Sequence, residues 1–196
     1  MSVASGAAMS VPVEEPLRRV RMSWEEFLAL PDHPRAEWVD GEAVLQVTPP
    51  VWGHGSTQAR VCALLLEHFP QGHVAVEAFL QLPRNRVRLP DVMMIAQPPG
   101  ADGWVRTAPL QVVEVLSPST RTEDTVGKYA EYLEGGAEHY WILDPESVTL
   151  DAWRNVGVDG VRAWESMLHL DAGHPVGEVE VAGVAVGLDL DVLLRR

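Results

Sequence analysis

Lysine is nearly missing from this chain: of 15 basic residues 14 are arginine, and the one lysine is Lys128. Cysteine is as scarce. Cys62 alone excludes an internal disulfide and a cysteine-built zinc cage, and within the apolar run Val61–Leu66 it reads as a small buried hydrophobe. No apolar run approaches the ~20 residues of a membrane span, because charges or prolines interrupt each one. Positive charge is short too. With 28 acidic and 15 basic residues the formal charge is −13, which disfavours a passive, high-affinity coat for nucleic acid. It does not exclude a metal-dependent enzyme, whose carboxylates gather the cation that then meets a phosphate.

Several catalytic signatures are absent. There is no Walker loop, no HExxH and no G-x-S-x-G, and Gly53-His54-Gly55 lacks the third glycine of a dinucleotide turn. The seven histidines stand at 33, 54, 68, 73, 139, 169 and 174, no two of them four apart, so no helix presents a histidine pair to zinc. Met1 to Pro16 carries no basic residue and no continuous apolar core, as a signal peptide would. Residues 1–20 read as a flexible arm and residues 21–196 as a single domain of a cytoplasmic protein.

What is present patterns as α/β. Ser23 with Glu26 forms a capping box before Trp24, Phe27 and Leu28, and Pro31 ends that short helix. Asp40-Gly41 predicts a hairpin over 37–47, broken by Pro49-Pro50. Apolar positions from Ser56 to Phe69 recur at helical spacing. Runs at 74–80 and 87–95 read as a pair of strands, and Leu110–Leu116 as a strand buried on both faces. A helix follows from about 122 to 134, stopped by Gly135-Gly136, and Tyr140–Leu143 is a further interior strand. Strand-like runs at 148–153, 161–167 and 178–186 complete an α/β domain with a mixed central sheet flanked by helices.

Two carboxylates stand where a core would be apolar. Glu114 interrupts Val112-Val113-Glu114-Val115-Leu116, where an ionised group without a partner costs several kcal/mol. Such a residue pairs with a cation, binds a metal or points out at an edge. Asp91 follows Pro90 within the other run, either as a turn residue or as a second ligand. Two hard oxygens on neighbouring strands suit Mg²⁺ or Mn²⁺. Lys128 falls early in the helix that leaves the strand of Glu114. A lysine kept amid arginines points to a place where a compact ammonium is needed, or to a surface i,i+4 pair with Asp124. If Val126, Ala130 and Leu133 form the buried stripe, Lys128 faces away; if Tyr129, Tyr132 and Leu133 do, it lies on the flank.

Pro90-Asp91 with Glu114-Val115-Leu116 resembles the PD-(D/E)XK nuclease signature, with Leu116 where lysine normally stands. The longer string from Val113 through Ser117-Pro118-Ser119-Thr120, with Asp124, Lys128, Tyr132, Gly136, Tyr140-Trp141 and Asp144-Pro145, resembles the Uma-two family of restriction-endonuclease-like proteins, over residues 23–194. The resemblance implies a restriction-endonuclease-like core hydrolysing phosphodiesters, with DNA as substrate. It implies Asp91, Glu114 and the main-chain carbonyl of Val115 as ligands of Mg²⁺ or Mn²⁺, and Lys128 as the catalytic lysine moved from strand to helix. Glu37 matches an N-terminal acidic position that holds the metal or Lys128. His54, Ser117 and Arg88 are candidate substrate contacts. A competing expectation is an inactive nuclease fold acting as a dimeric interaction or nucleic-acid-binding module; a third is a metal-free hydrolase with two carboxylates. An active enzyme should carry a rim of arginines, with Arg84, Arg86, Arg88 and Arg121 as candidates. Trp52, Trp104, Trp153 and Trp164, in or beside expected loops, suggest a homodimer.

Overall fold

Asp40 and Gly41 both have positive φ (51° and 87°), the backbone a type I′ turn requires. They join β2 (Arg35–Val39) to β3 (Glu42–Gln46) with Val39 opposite Glu42. The computed structural model describes residues 17–31, 35–46, 52–117, 121–158 and 161–195. The expected break at Pro49-Pro50, the residues Pro118, Ser119 and Thr120, and positions 1–16 of the expected arm lie outside that set. The rest of the arm is corrected: Leu17–Arg21 is a strand, β1, paired along its length with β3. Helix α1 (Trp24–Leu28) carries the expected capping box, with Glu26 N–H donating to Ser23 Oγ at 3.2 Å and Ser23 N–H to Glu26 Oε2 at 2.6 Å.

The two runs read as simple strands are each divided. The first gives β4 (His73–Ala75) and β5 (Leu80–Leu82); the second gives β6 (Arg86–Arg88) and β7 (Val92–Ile95). Pro90 has no N–H for a ladder, and at Leu89-Pro90-Asp91 the chain leaves one sheet for another. The first sheet runs β1-β3-β2-β6-β5; the second, of six strands, runs β11 (Val161–Leu170), β10 (Thr149–Val158), β9 (His139–Asp144), β8 (Gln111–Val115), β7, β4. Strands β8 and β9 are its parallel pair, every residue buried as the sequence predicts. The crossover between them holds a π-helical segment (Glu123–Lys128) and α3 (Tyr129–Gly135), where a single α-helix is expected.

Alternation along the central strands makes two cores. Val92, Met94, Val113 and Val115 pack with Val61 and Leu65 of α2 (Trp52–His68) and with the C-terminal strands. Met93, Ile95 and Val112 pack on the opposite face with Tyr132 of α3 and Leu80 of β5. A third, aromatic cluster lies under the first sheet around Phe27, Trp38 and Val87. Beyond β9, β10 (Thr149–Val158) and β11 (Val161–Leu170) are longer than expected. The run 178–186 is not one strand: it turns at Ala182-Gly183, both with positive φ, between β12 (Val176–Val181) and β13 (Val184–Asp189). Helix α4 (Leu190–Leu193) is capped by Asp189. Among the described residues no helix is long and apolar enough to cross a membrane.

One ion pair ties the crossover to β9. Arg121 donates to both carboxylate oxygens of Asp144 at 2.7 and 3.0 Å, and Ser147 Oγ and Glu146 N–H donate to the same group. Burial opposes ionisation, but these donors win and hold the Asp144 pKa at about 2. Relative to 3.8 that is worth roughly 2.5 kcal/mol, trimmed by solvent around the half-exposed Arg121. Asp144→Asn is therefore expected to cost about 1–2 kcal/mol at pH 7. A depressed carboxyl stabilises above its unfolded pKa, so the wild type loses this advantage as pH falls from about 4 towards 2. Urea denaturation at pH 7 and pH 3 should show the gap between the two proteins narrowing.

Candidate active site

Register brings the two odd carboxylates together. Val92 pairs with Val113, so the next step along antiparallel β7 and β8 sets Asp91 across from Glu114. Glu114 shares the parity of Val112 and turns towards α3, whereas Asp91 sits at the corner between the sheets. Helix α2 meets it there. His54 and Gln58, four apart and thus on one helix face, reach Asp91 Oδ1 at 3.1 and 3.0 Å, while Val115 N–H donates to Asp91 Oδ2 at 2.6 Å.

Lys128 is 6% exposed, and its ammonium is held by Asp124 Oδ1 at 3.0 Å, Glu114 Oε1 at 3.1 Å and Glu37 Oε1 at 3.3 Å. Glu114 Oε1 also accepts a 2.6 Å bond from the Tyr132 hydroxyl. The stripe of Val126, Ala130 and Leu133 is not the buried face of the crossover helix; that of Tyr129, Tyr132 and Leu133 is nearer, with Tyr132 buried and Tyr129 packed on the core, but charged residues share the face. Asp124, Lys128, Glu131 and Tyr132 turn inward, while Val126 stands 66% exposed. The Asp124–Lys128 i,i+4 pair exists, but in the interior. Glu37 accepts from Leu89 N–H at 3.0 Å and from Arg88 Nη1 at 2.8 Å.

The charges set the protonation states. Burial penalises the Lys128 ammonium, but Asp124, Glu114 and Glu37 overcompensate and raise its pKa well above 10.5. Burial pushes the Glu114 carboxyl well up; Lys128 counters this, and Asp124 and Asp91 add to it. Burial would raise Glu37 as well, yet Lys128 and Arg88 hold it below its usual value. For His54, burial lowers the pKa but the bond and charge of Asp91 outweigh it, so it stands above 6.5.

Glu37, His54, Asp91, Glu114, Asp124 and Lys128 line one cavity of about 50 Å³, with Arg35, Leu89 and Glu123 at its wall. That is room for a few waters, or for a hydrated cation, with a larger substrate left at the mouth. Carboxylates outnumber cations around it, and their hard oxygens are the donors divalent magnesium or manganese takes. Among the described residues no three His, Cys, Asp or Glu side chains form a ready cage.

Other expectations fall elsewhere. Arg88, expected as a substrate contact, is wholly buried. It donates twice to Glu131 (2.6 and 2.8 Å) and once each to Glu37 and Glu123 (both 2.8 Å), so no donor faces substrate. Ser117 is half-buried just past β8 and does not line the cavity. The main chain of Val115, whose carbonyl is the expected third ligand, does lie beside Asp91, its N–H donating to that carboxylate. His54, expected just ahead of a helix, lies within the first turn of α2. None of the other expected rim arginines lines the cavity: Arg84 pairs with Glu134, Arg86 with Asp40 and Arg121 with Asp144, and the arginine at its wall is Arg35. Trp153 and Trp164 pack around Tyr129 and Tyr140, and Trp104 against Phe79; only Trp52, 85% exposed, stands clear. Gln58 was missed, although its spacing of four from His54 was a legible signal.

The family model Uma2, described as "Putative restriction endonuclease", matches residues 24–190. The chain belongs to the Uma2 family. No curated protein matches this Uma2 chain. Among solved structures it is similar to one titled "Crystal structure of a putative nuclease belonging to DUF820 from Anabaena variabilis ATCC 29413", with a TM-score of 0.67 and 22% identity over 87% of this chain and 96% of that one. The likeness establishes the fold, the restriction-endonuclease-like α/β core that the motifs implied.

Proposed function

We propose that this Uma2 protein is a divalent-metal-dependent nuclease that hydrolyses phosphodiester bonds of DNA. The observation that carries the reading is Glu114, buried beside the ammonium of Lys128 and opposite Asp91 on the neighbouring strand, within a cavity rich in carboxylate. Asp91 and Glu114 would hold Mg²⁺ or Mn²⁺. Such an ion, when bound, supplies Lewis acidity to the phosphate and neutralises its charge.

The protein's own residues divide the remaining work. Lys128, held charged by three carboxylates, is an electrostatic group that offsets charge building on the phosphoryl oxygens, rather than a base. Asp124 and Glu37 aim that ammonium and so act as positioning residues. His54 lines the cavity as a substrate contact, and its bond to Asp91 Oδ1 fixes that carboxylate. Dimerisation and a cytoplasmic setting belong to the same reading, the former supported by the exposed Trp52.

A second reading has its own support. The charge of −13, and the ion pairs that hold Arg84, Arg86, Arg88 and Arg121 to carboxylates of this chain, favour an inactive fold serving as a binding module. Incubation with DNA in Mn²⁺, Mg²⁺ and chelator, alongside calorimetric titration of the ions, separates the two. Cleavage that needs the ion is expected. A protein that binds neither ion and cuts no DNA would leave the binding module.

A further inference from the structure

We infer that the groove next to the cavity seats an unpaired nucleobase, so that the substrate is single-stranded at the scissile phosphate; this rests on the nuclease reading above. The groove, about 430 Å³, has Phe79, Trp104, Leu30, Leu89, Arg35 and Glu77 in its lining.

Continuity is the first argument. Arg35 and Leu89 line both the groove and the carboxylate cavity, so one side-chain thickness separates them. A strand with a phosphate at the cavity mouth lays its adjoining base over the groove. Chemistry is the second. Phe79 and Trp104 stack with ring centroids 4.9 Å apart at 25°, both half-buried, and Arg106 lies 5.8 Å from the Trp104 ring. Aromatic faces offer stacking that any base can accept.

Electrostatics point the same way. In a duplex both faces of each base are covered, and only edges are open in the grooves. A duplex binder also has to neutralise two rows of phosphates, whereas Arg84, Arg86 and Arg121 are already spent on carboxylates of this chain. A single strand presents one row of phosphates and adds the stacking of its bases.

The test uses the full chain and two probes. A deoxyadenosine trimer with methylphosphonate linkages carries no backbone charge, so its binding needs neither metal nor relief from the carboxylates. Tryptophan fluorescence in chelator should show saturable binding. Trp104→Ala should weaken it about tenfold or more, the size of one stacking contact, and Leu30→Trp, which fills the groove while keeping the aromatic wall, should do the same. With Mn²⁺, a 20-mer single strand should be cut about tenfold faster than the matching duplex. No binding of the trimer, binding unchanged in both variants, or a duplex cut faster than the single strand would each overturn the proposal. A bound trimer with no cutting of either DNA would leave the base seat standing and remove the nuclease reading alone.

Discussion

Replacing Lys128 with methionine is expected to cost about 3–5 kcal/mol of stability at neutral pH, because it strands carboxylates that are buried and paired. Glu114 is 1% exposed and Asp124 also 1%, and with Glu37 they share this ammonium within 3.3 Å. Without it, Glu114 must be protonated or driven to water, whereas Glu37 keeps its bonds from Arg88 and the Leu89 N–H. The pH dependence follows. A carboxyl whose folded pKa is raised keeps its proton where the unfolded chain has released it, so stability falls as pH rises through that window. Glu114 is already raised in the wild type and would rise further in the variant. The deficit should therefore be largest at neutral pH and shrink on acidification towards the ordinary glutamate range. Urea denaturation between pH 5 and pH 8 measures it. Lys128→Arg should not restore stability, since a planar fork cannot replace a point charge in so small a space. Glu114→Gln in the Lys128→Met background should recover part of the loss, the coupling expected of contacting residues. Glu114→Gln alone should keep the fold while abolishing ion-dependent cleavage. A Lys128→Met protein as stable as wild type at pH 7 would show that the carboxylates are solvated, and the electrostatic role of the lysine would go with that.

The parts of the site that could be read from the sequence are those where composition contradicts local pattern. Glu114 was legible because an acid amid Val112, Val113, Val115 and Leu116 has no place in a two-sided core. Lys128 was legible because one lysine survives among arginines. Their meeting was readable too, since a strand and the crossover leaving it share an end. The π-helical segment was not legible. It keeps Asp124 and Lys128 on the inward face with Tyr132 while Val126 faces solvent, and single-sequence periodicity weights apolar residues such as Val126 over the charged ones that are inside here. The division of 87–95 between two sheets was marked only by Pro90; the extended pattern on either side hid it. Strand β1 was lost because Leu17–Arg21 is mostly basic, and its partner is the distant β3 rather than a neighbour in sequence.

Arg88 shows where residue type misleads. Beside Pro90-Asp91 an arginine reads as a phosphate contact, yet this one is wholly interior and makes four hydrogen bonds to Glu131, Glu37 and Glu123. Burial opposes its charge, and these three carboxylates outweigh that and raise its pKa. It links β6 to β2 and to the crossover helix, and through Glu37 it touches the group that steadies Lys128. Arg88→Met keeps the apolar stem and removes every donor, so the expected loss is about 3–5 kcal/mol, as for other buried ions stripped of a partner. Arg88→Lys keeps the charge but cannot make the paired bonds to Glu131, and about 2 kcal/mol should still be lost. Both losses should ease as pH falls and the stranded glutamates take up protons, by the same sign as for Lys128. A substrate contact behaves otherwise. If Arg88 met phosphate, its removal would weaken DNA binding and flatten the salt dependence of affinity while leaving the unfolding curve in place. Denaturation and binding measured on the one variant therefore choose between a fold-holding and a substrate-holding arginine, and an unshifted denaturation midpoint would return Arg88 to the substrate.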